Sequence, residues 1–161
     1  MKKIIFICEG NICRSPMAEM IFQDMINKAD LGDSFSVTSR AAIFETTGED
    51  MYAEAKKELI KHDIKILPHT AKQITYKDYM ESDYLVGMDN YTLLLVKRAI
   101  YLKGNEKLFR LLDFTDRQGD IKDPYGTLNF DKAYQDIYYG CQGFLKYLIK
   151  KQEEETNTVN N

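Results

Sequence analysis

The chain has 161 residues, which suits one domain with a substantial hydrophobic core. Its apolar content of 44% and charged content of 29% are those of an ordinary globular protein, and a net charge of −3 argues against a nucleic-acid binder, which would carry a basic face. The three cysteines, Cys8, Cys13 and Cys141, are too few and odd in number for a disulfide framework, and no apolar run reaches the length of a signal-peptide core or a membrane span, so the chain reads as cytoplasmic with free thiols.

Residues 3–7 are a continuous β-prone run, the pattern of a strand buried on both faces. A polar loop containing Gly10 follows. Ser15 then Pro16 reads as an N-cap with Pro at the first helical position, opening a helix to about Ala29. Phe35 to Ser39 reads as a second strand and Asp50 to His62 as a helix. Tyr84 to Met88 is a third strand, a helix runs from there to about Leu102 with Asp89 either capping it, the preferred reading, or lining the site, and Lys107 to Leu112 is a fourth strand. From Phe130 the spacing Phe130, Ala133, Tyr134, Ile137, Cys141, Leu145, Leu148 is a helical stripe, which places Cys141 in the core. The domain is expected to span residues 1–151, with 152–161, including Glu153 to Glu155, a polar disordered tail.

Strands alternating with helices predict an α/β fold with a parallel sheet, in which ligands bind beyond the carboxyl ends of the strands at a topological switch point. Cys8 ends the first strand. The loop Cys8, Glu9, Gly10, Asn11, Ile12, Cys13, Arg14, Ser15 then leads into a helix. Successive backbone N–H groups in such a loop can form an anion-binding nest, and the first N–H groups of the helix reinforce it. A thiol so placed is favoured as thiolate, and Arg14 supplies a rigid fork for two phosphate oxygens. The arrangement suits a nucleophile attacking phosphorus, since positioning and electrostatics carry most of phosphoryl transfer. Asp123, in the turn Asp123, Pro124, Tyr125, Gly126, is the candidate general acid, although Asp-Pro is also common in turns of no catalytic role.

The loop with Pro16, taken together with the distant Asp123, Pro124 and Tyr125, resembles the low-molecular-weight protein tyrosine phosphatases from about Lys3 to Leu148. The resemblance implies a single Rossmann-like domain, a four-stranded parallel sheet flanked by helices, with the phosphate-binding loop after the first strand. It implies two-step hydrolysis of phosphotyrosine proteins or small aryl phosphates through phosphocysteine, inorganic phosphate as product, and no cofactor or metal. Cys8 would attack, Arg14 would clamp, and Asp123 would serve as acid and then base. Asn11, Ser15, Ser39 and His69 would hold the loop, and Tyr125, with Phe44, would line the substrate cleft. Glu9, Phe44 with Glu45, and Gly126 depart from the family pattern and bear on substrate preference. Cys13 reads either as a reversible disulfide partner of Cys8 or as a packing residue.

The alternatives are a protein-arginine phosphatase of the same family, a thiol-dependent arsenate reductase and a non-catalytic phosphotyrosine-binding module. The arginine-phosphatase branch carries Thr where this chain has Ile12. The reductase would need resolving cysteines after the third strand, and residues 80–100 contain none. The binding module would be favoured by loss of Cys8 or Asp123, and both are present.

Overall fold

The computed structural model describes residues 1–159. Four strands, β1 (Lys2–Cys8), β2 (Phe35–Ala41), β3 (Tyr84–Gly87) and β4 (Leu108–Arg110), form one parallel sheet in the order β2-β1-β3-β4. The helices are α1 (Arg14–Lys28), α2 (Ala53–Lys61), α3 (Tyr76–Glu81), α4 (Asn90–Ala99), α5 (Pro124–Thr127) and α6 (Phe130–Val159). The expected α/β architecture is present.

The unbroken apolar run of β1 is explained by cores on both sides of the sheet. Ile4, Phe6 and Cys8 pack with α1 and α6, while Ile5 and Ile7 pack with Tyr79 of α3 and Val96 of α4. Phe6, Phe22 and Phe144 meet at ring separations of 5.4–6.2 Å and are fully buried. Each such ring contributes about 1.5–3 kcal/mol through burial. Cys141 lies in this core. Because β1 has β2 on one side and β3 on the other, the connections diverge at its carboxyl end. That divergence opens the crevice in which ligands bind in such sheets, and Cys8 stands at its mouth.

Several boundaries differ from the sequence-based expectation. α1 begins at Arg14 with Cys13 in the cap position, not at Ser15. Pro16 is still within the first turn, where its missing N–H leaves no bond unmade, and the Ser15 hydroxyl is free for the site. α2 starts at Ala53, because the Tyr52 N–H bonds to the Ile12 carbonyl. β4 stops at Arg110 and the chain tightens into a 3₁₀ turn, Leu111–Phe114. α3 was not anticipated, though its capping box, Thr75 with Asp78, is written in the sequence. The tail expected as disordered is instead a continuation of α6 to Val159, supported by Lys151–Glu154 and Lys2–Glu155 ion pairs. Asn160 and Asn161 lie outside the described residues. His62 follows α2 and stacks on Tyr134 at 3.7 Å, a packing role.

Candidate active site

Asn11 organises the loop between β1 and α1. It adopts a left-handed backbone (φ 56°), a conformation Asn tolerates better than most residues, and it is completely buried. Gly10 beside it has no positive φ. Its role is close approach: a Cβ there would lie 3.3 Å from Thr46 Cγ2, and Thr46 Oγ1 donates to the Gly10 carbonyl at 2.6 Å.

The Asn11 amide donates to Ser15 Oγ (2.8 Å) and Ser39 Oγ (2.9 Å), and its Oδ1 accepts the Lys72 N–H (3.2 Å). Its own N–H donates to Cys8 Sγ at 3.2 Å. His69 Nε2 lies 2.6 Å from the Asn11 carbonyl, which can only accept, so Nε2 carries the hydrogen. The Ser39 hydroxyl in turn donates to the carboxylate of Glu19, a half-buried residue of α1. Burial pushes the Glu19 carboxyl up, more than Ser39, His69 and Arg40 pull it down. Ser15 Oγ lies 3.0 Å from Cys8 Sγ and 3.4 Å from the Arg40 carbonyl, so its one hydroxyl proton has two acceptors within reach when the sulfur is a thiolate. The sulfur thus accepts from the Asn11 N–H and stands within hydrogen-bond reach of the Ser15 hydroxyl.

Arg14 is 2% exposed, a charge held in the interior by its partners. Nη1 donates to Asp89 Oδ2 (2.5 Å) and the Ile121 carbonyl (2.7 Å), and Nη2 lies 3.7 Å from Asp123 Oδ2. Burial disfavours the guanidinium charge, but Cys8 and Asp89 outweigh it and hold the pKa above its ordinary value. Burial likewise opposes ionisation of Asp89, and Arg14 reverses the balance, holding that carboxyl below its usual range. Asp89 also caps α4, Oδ1 accepting the Thr92 N–H at 2.7 Å. The cap foreseen from sequence is therefore real and is half of its role.

Asp123 caps α5, accepting the Tyr125 N–H at 3.0 Å, and its side chain is partly exposed to the cleft. Cys13 borders the same cleft but is 4% exposed, and burial, then Cys8 and Asp123, push its thiol up to about 12. That favours an inert packing thiol at neutral pH over a resolving one.

The cleft has a volume of about 430 Å³, and Cys8, Arg14 and Asp123 all line it. Its walls include Ile12, Ile43, Tyr52 and Tyr125, and Glu9 and Glu49 are at its rim. Phe44, expected as a cleft wall, is 69% exposed and does not line it; Tyr52 lies there instead. Sequence reasoning missed Tyr52, Glu19, Glu49 and the Asp89–Arg14 pair.

The sequence model of the family described as low molecular weight phosphotyrosine protein phosphatase matches residues 3–154. The chain belongs to this family. Among curated relatives, low molecular weight phosphotyrosine protein phosphatase 1 of Drosophila melanogaster is 34% identical over 156 residues, 94% of this chain and 99% of that protein. Low molecular weight protein-tyrosine-phosphatase YfkJ of Bacillus subtilis is 30% identical, covering 95% and 99%. The crystal structure of YfkJ superposes with a TM-score of 0.89 at 31% identity, covering 94% of this chain and 96% of that one. A Drosophila arginine phosphatase also superposes, with a TM-score of 0.80 at 30% identity, covering 92% and 98%. The chain is thus an enzyme of the low molecular weight tyrosine phosphatase family, whose members include arginine phosphatases. No helix among the described residues is long and apolar enough to cross a membrane.

Proposed function

We propose that the protein hydrolyses phosphotyrosine in proteins, and small aryl phosphates, through a phosphocysteine intermediate. The observation that carries this reading is Cys8 Sγ held 3.2 Å from the Asn11 N–H that donates to it and 3.0 Å from Ser15 Oγ, in a cleft shared with Arg14 and Asp123.

In the first step Cys8 Sγ bonds to phosphorus as the ester P–O bond breaks, and Asp123 gives its proton to the departing oxygen. Arg14 and the loop N–H groups meet the charge that accumulates on the phosphoryl oxygens. In the second step water attacks phosphorus, Asp123 takes its proton, and the S–P bond breaks to release inorganic phosphate. Arg14 is pre-oriented by Asp89 and Ile121, so its fork needs little reorganisation.

A second reading, phosphoarginine hydrolysis, is favoured by the likeness to the Drosophila arginine phosphatase. Ile12 speaks against it. It lines the cleft with a branched apolar surface where the arginine-phosphatase branch carries Thr, which leaves guanidinium N–H groups unpaired. An unpaired buried donor costs about 1–3 kcal/mol, roughly tenfold to a hundredfold in specificity. Arsenate reduction lacks a resolving thiol, since Cys141 is buried in the core away from the cleft.

The test is kcat/KM on matched phosphotyrosine, phosphoarginine and phosphoserine peptides without added metal. Phosphotyrosine should lead by at least about tenfold, and Ile12→Thr should narrow the gap to phosphoarginine. Cys8→Ser should abolish turnover while still binding phosphate. Equal or better activity on phosphoarginine would reject the tyrosine assignment and leave the cysteine mechanism standing.

A further inference from the structure

We propose that Tyr52 determines aryl specificity and positions the general-acid turn: it forms one wall for the substrate ring and braces Tyr125 against the phosphate loop. This rests on the aryl phosphatase reading above and names a residue that neither the loop nor the Asp-Pro-Tyr motif contains.

Three contacts define the role. The Tyr52 N–H donates to the Ile12 carbonyl at 2.7 Å, tying its backbone to the phosphate loop. One neighbour of its ring is Phe130, stacked at 5.8 Å and 21°, itself 8% exposed at the start of α6 and therefore a fixed support. The other is Tyr125, met edge to face at 5.6 Å and 68°. Both tyrosines line the cleft that holds Cys8.

The Asp123 turn needs such a brace on this side. It is anchored upstream by buried Ile121 and at buried Pro124, but Tyr125 is 62% exposed and Leu128 77% exposed. A Cβ added at Gly126 would meet nothing within 4 Å, so no neighbour packs there. α5 has only four residues and contributes little rigidity of its own. Tyr125 is hydrogen-bonded to the acid itself through its N–H and Asp123 Oδ1 at 3.0 Å. A series of contacts therefore runs from Phe130 through Tyr52 and Tyr125 to Asp123. With Phe44 outside the cleft, Tyr52 and Tyr125 are the aromatic surfaces available to a phenyl ring.

The experiment compares the parent, Tyr52→Phe, Tyr52→Ala, Tyr125→Ala and the double alanine variant in the full chain. Substrates are aryl phosphates of graded leaving-group pKa and a phosphotyrosine peptide, with competitive inhibition by inorganic phosphate measured alongside. Tyr52→Ala should raise KM for aryl substrates about fivefold to tenfold, the range expected for one lost aromatic contact. It should also steepen the dependence of kcat on leaving-group pKa, as the acid is less well placed. Tyr52→Phe, which restores the ring, should rescue both. Inhibition by phosphate should stay within about twofold in every variant, since phosphate meets the loop and not the ring. The double variant should lose little more than the worse single one, because the two rings act as a unit.

An unchanged KM and leaving-group slope in Tyr52→Ala would overturn the proposal, as would fully additive losses. Phosphate inhibition weakened in parallel with KM would mean that Tyr52 merely packs the loop, and would also overturn it. A parent enzyme inactive on every aryl phosphate would instead refute the aryl phosphatase reading, and this inference with it.

Discussion

Replacing Asn11 should destabilise this protein more than replacing any other uncharged residue of the loop. Asn11→Ala removes two bonds donated by the amide, to Ser15 and Ser39, and one accepted from the Lys72 N–H. At about 1 kcal/mol each these amount to roughly 3 kcal/mol. Holding alanine at a φ of 56° adds about 1 kcal/mol or more, since alanine has a Cβ and no side-chain bond to compensate. A loss of about 4 kcal/mol in a chain of this size lowers Tm by roughly 8–16 °C. Activity should fall further than KM changes, because both contacts to Cys8 Sγ are disturbed: the main-chain N–H of residue 11 through strain in the turn, and Ser15 through its lost anchor. One such contact corresponds to about tenfold in kcat. Asn11→Asp is the informative control. It keeps the backbone preference and an acceptor for Lys72, but offers acceptors where Ser15 and Ser39 receive donors. Thermal melts and aryl phosphate kinetics at neutral pH would decide the matter. An Asn11→Asp enzyme that melts and turns over like the parent would refute the claim that the amide's donors hold the site together.

Asp123→Asn should slow poor leaving groups far more than good ones, by about 10² to 10⁴ at the poor end; equal losses across a leaving-group series would remove Asp123 from the acid role. Glu9→Leu should lower KM for acidic phosphopeptides, because Glu9 and Glu49 set a negative rim on the cleft, and the gain should shrink in salt; an unchanged KM at low ionic strength would show that Glu9 does not face the substrate. Asp89→Asn should destabilise the fold at neutral pH in a pH-dependent way. The folded carboxyl titrates below the ordinary value of about 4, so its contribution is complete above that pH and is lost as pH falls through the folded value. The Tm gap between parent and variant should therefore close on acidification, and a gap that widens below about pH 4 would contradict the Arg14–Asp89 account.

Legibility in the sequence followed the range of the interactions involved. The strand at residues 3–7 was readable because burial on both faces demands an unbroken apolar run, and α6 because a single buried face demands a stripe. Its terminal extension is not legible, since a polar composition does not show that α6 is already nucleated or that Glu155 reaches Lys2. Boundaries at Arg14 and Ala53 moved because loop contacts outbid local preference: Ser15 is drawn to Cys8, and the Tyr52 N–H to Ile12.

The sequence by itself determined the α/β class, the position of Cys8 at the end of a central strand, and the cysteine–arginine loop with its distant aspartate. These are encoded by residue type and spacing along one stretch of chain. Tertiary structure alone decided that Asp89 serves Arg14 across 75 positions, and that Tyr52 rather than Phe44 lines the cleft. Each depends on which elements the sheet order brings to the carboxyl end of β1. A hydrogen bond or ring contact between segments leaves no periodicity in either segment, so the packed fold is the first level at which it exists.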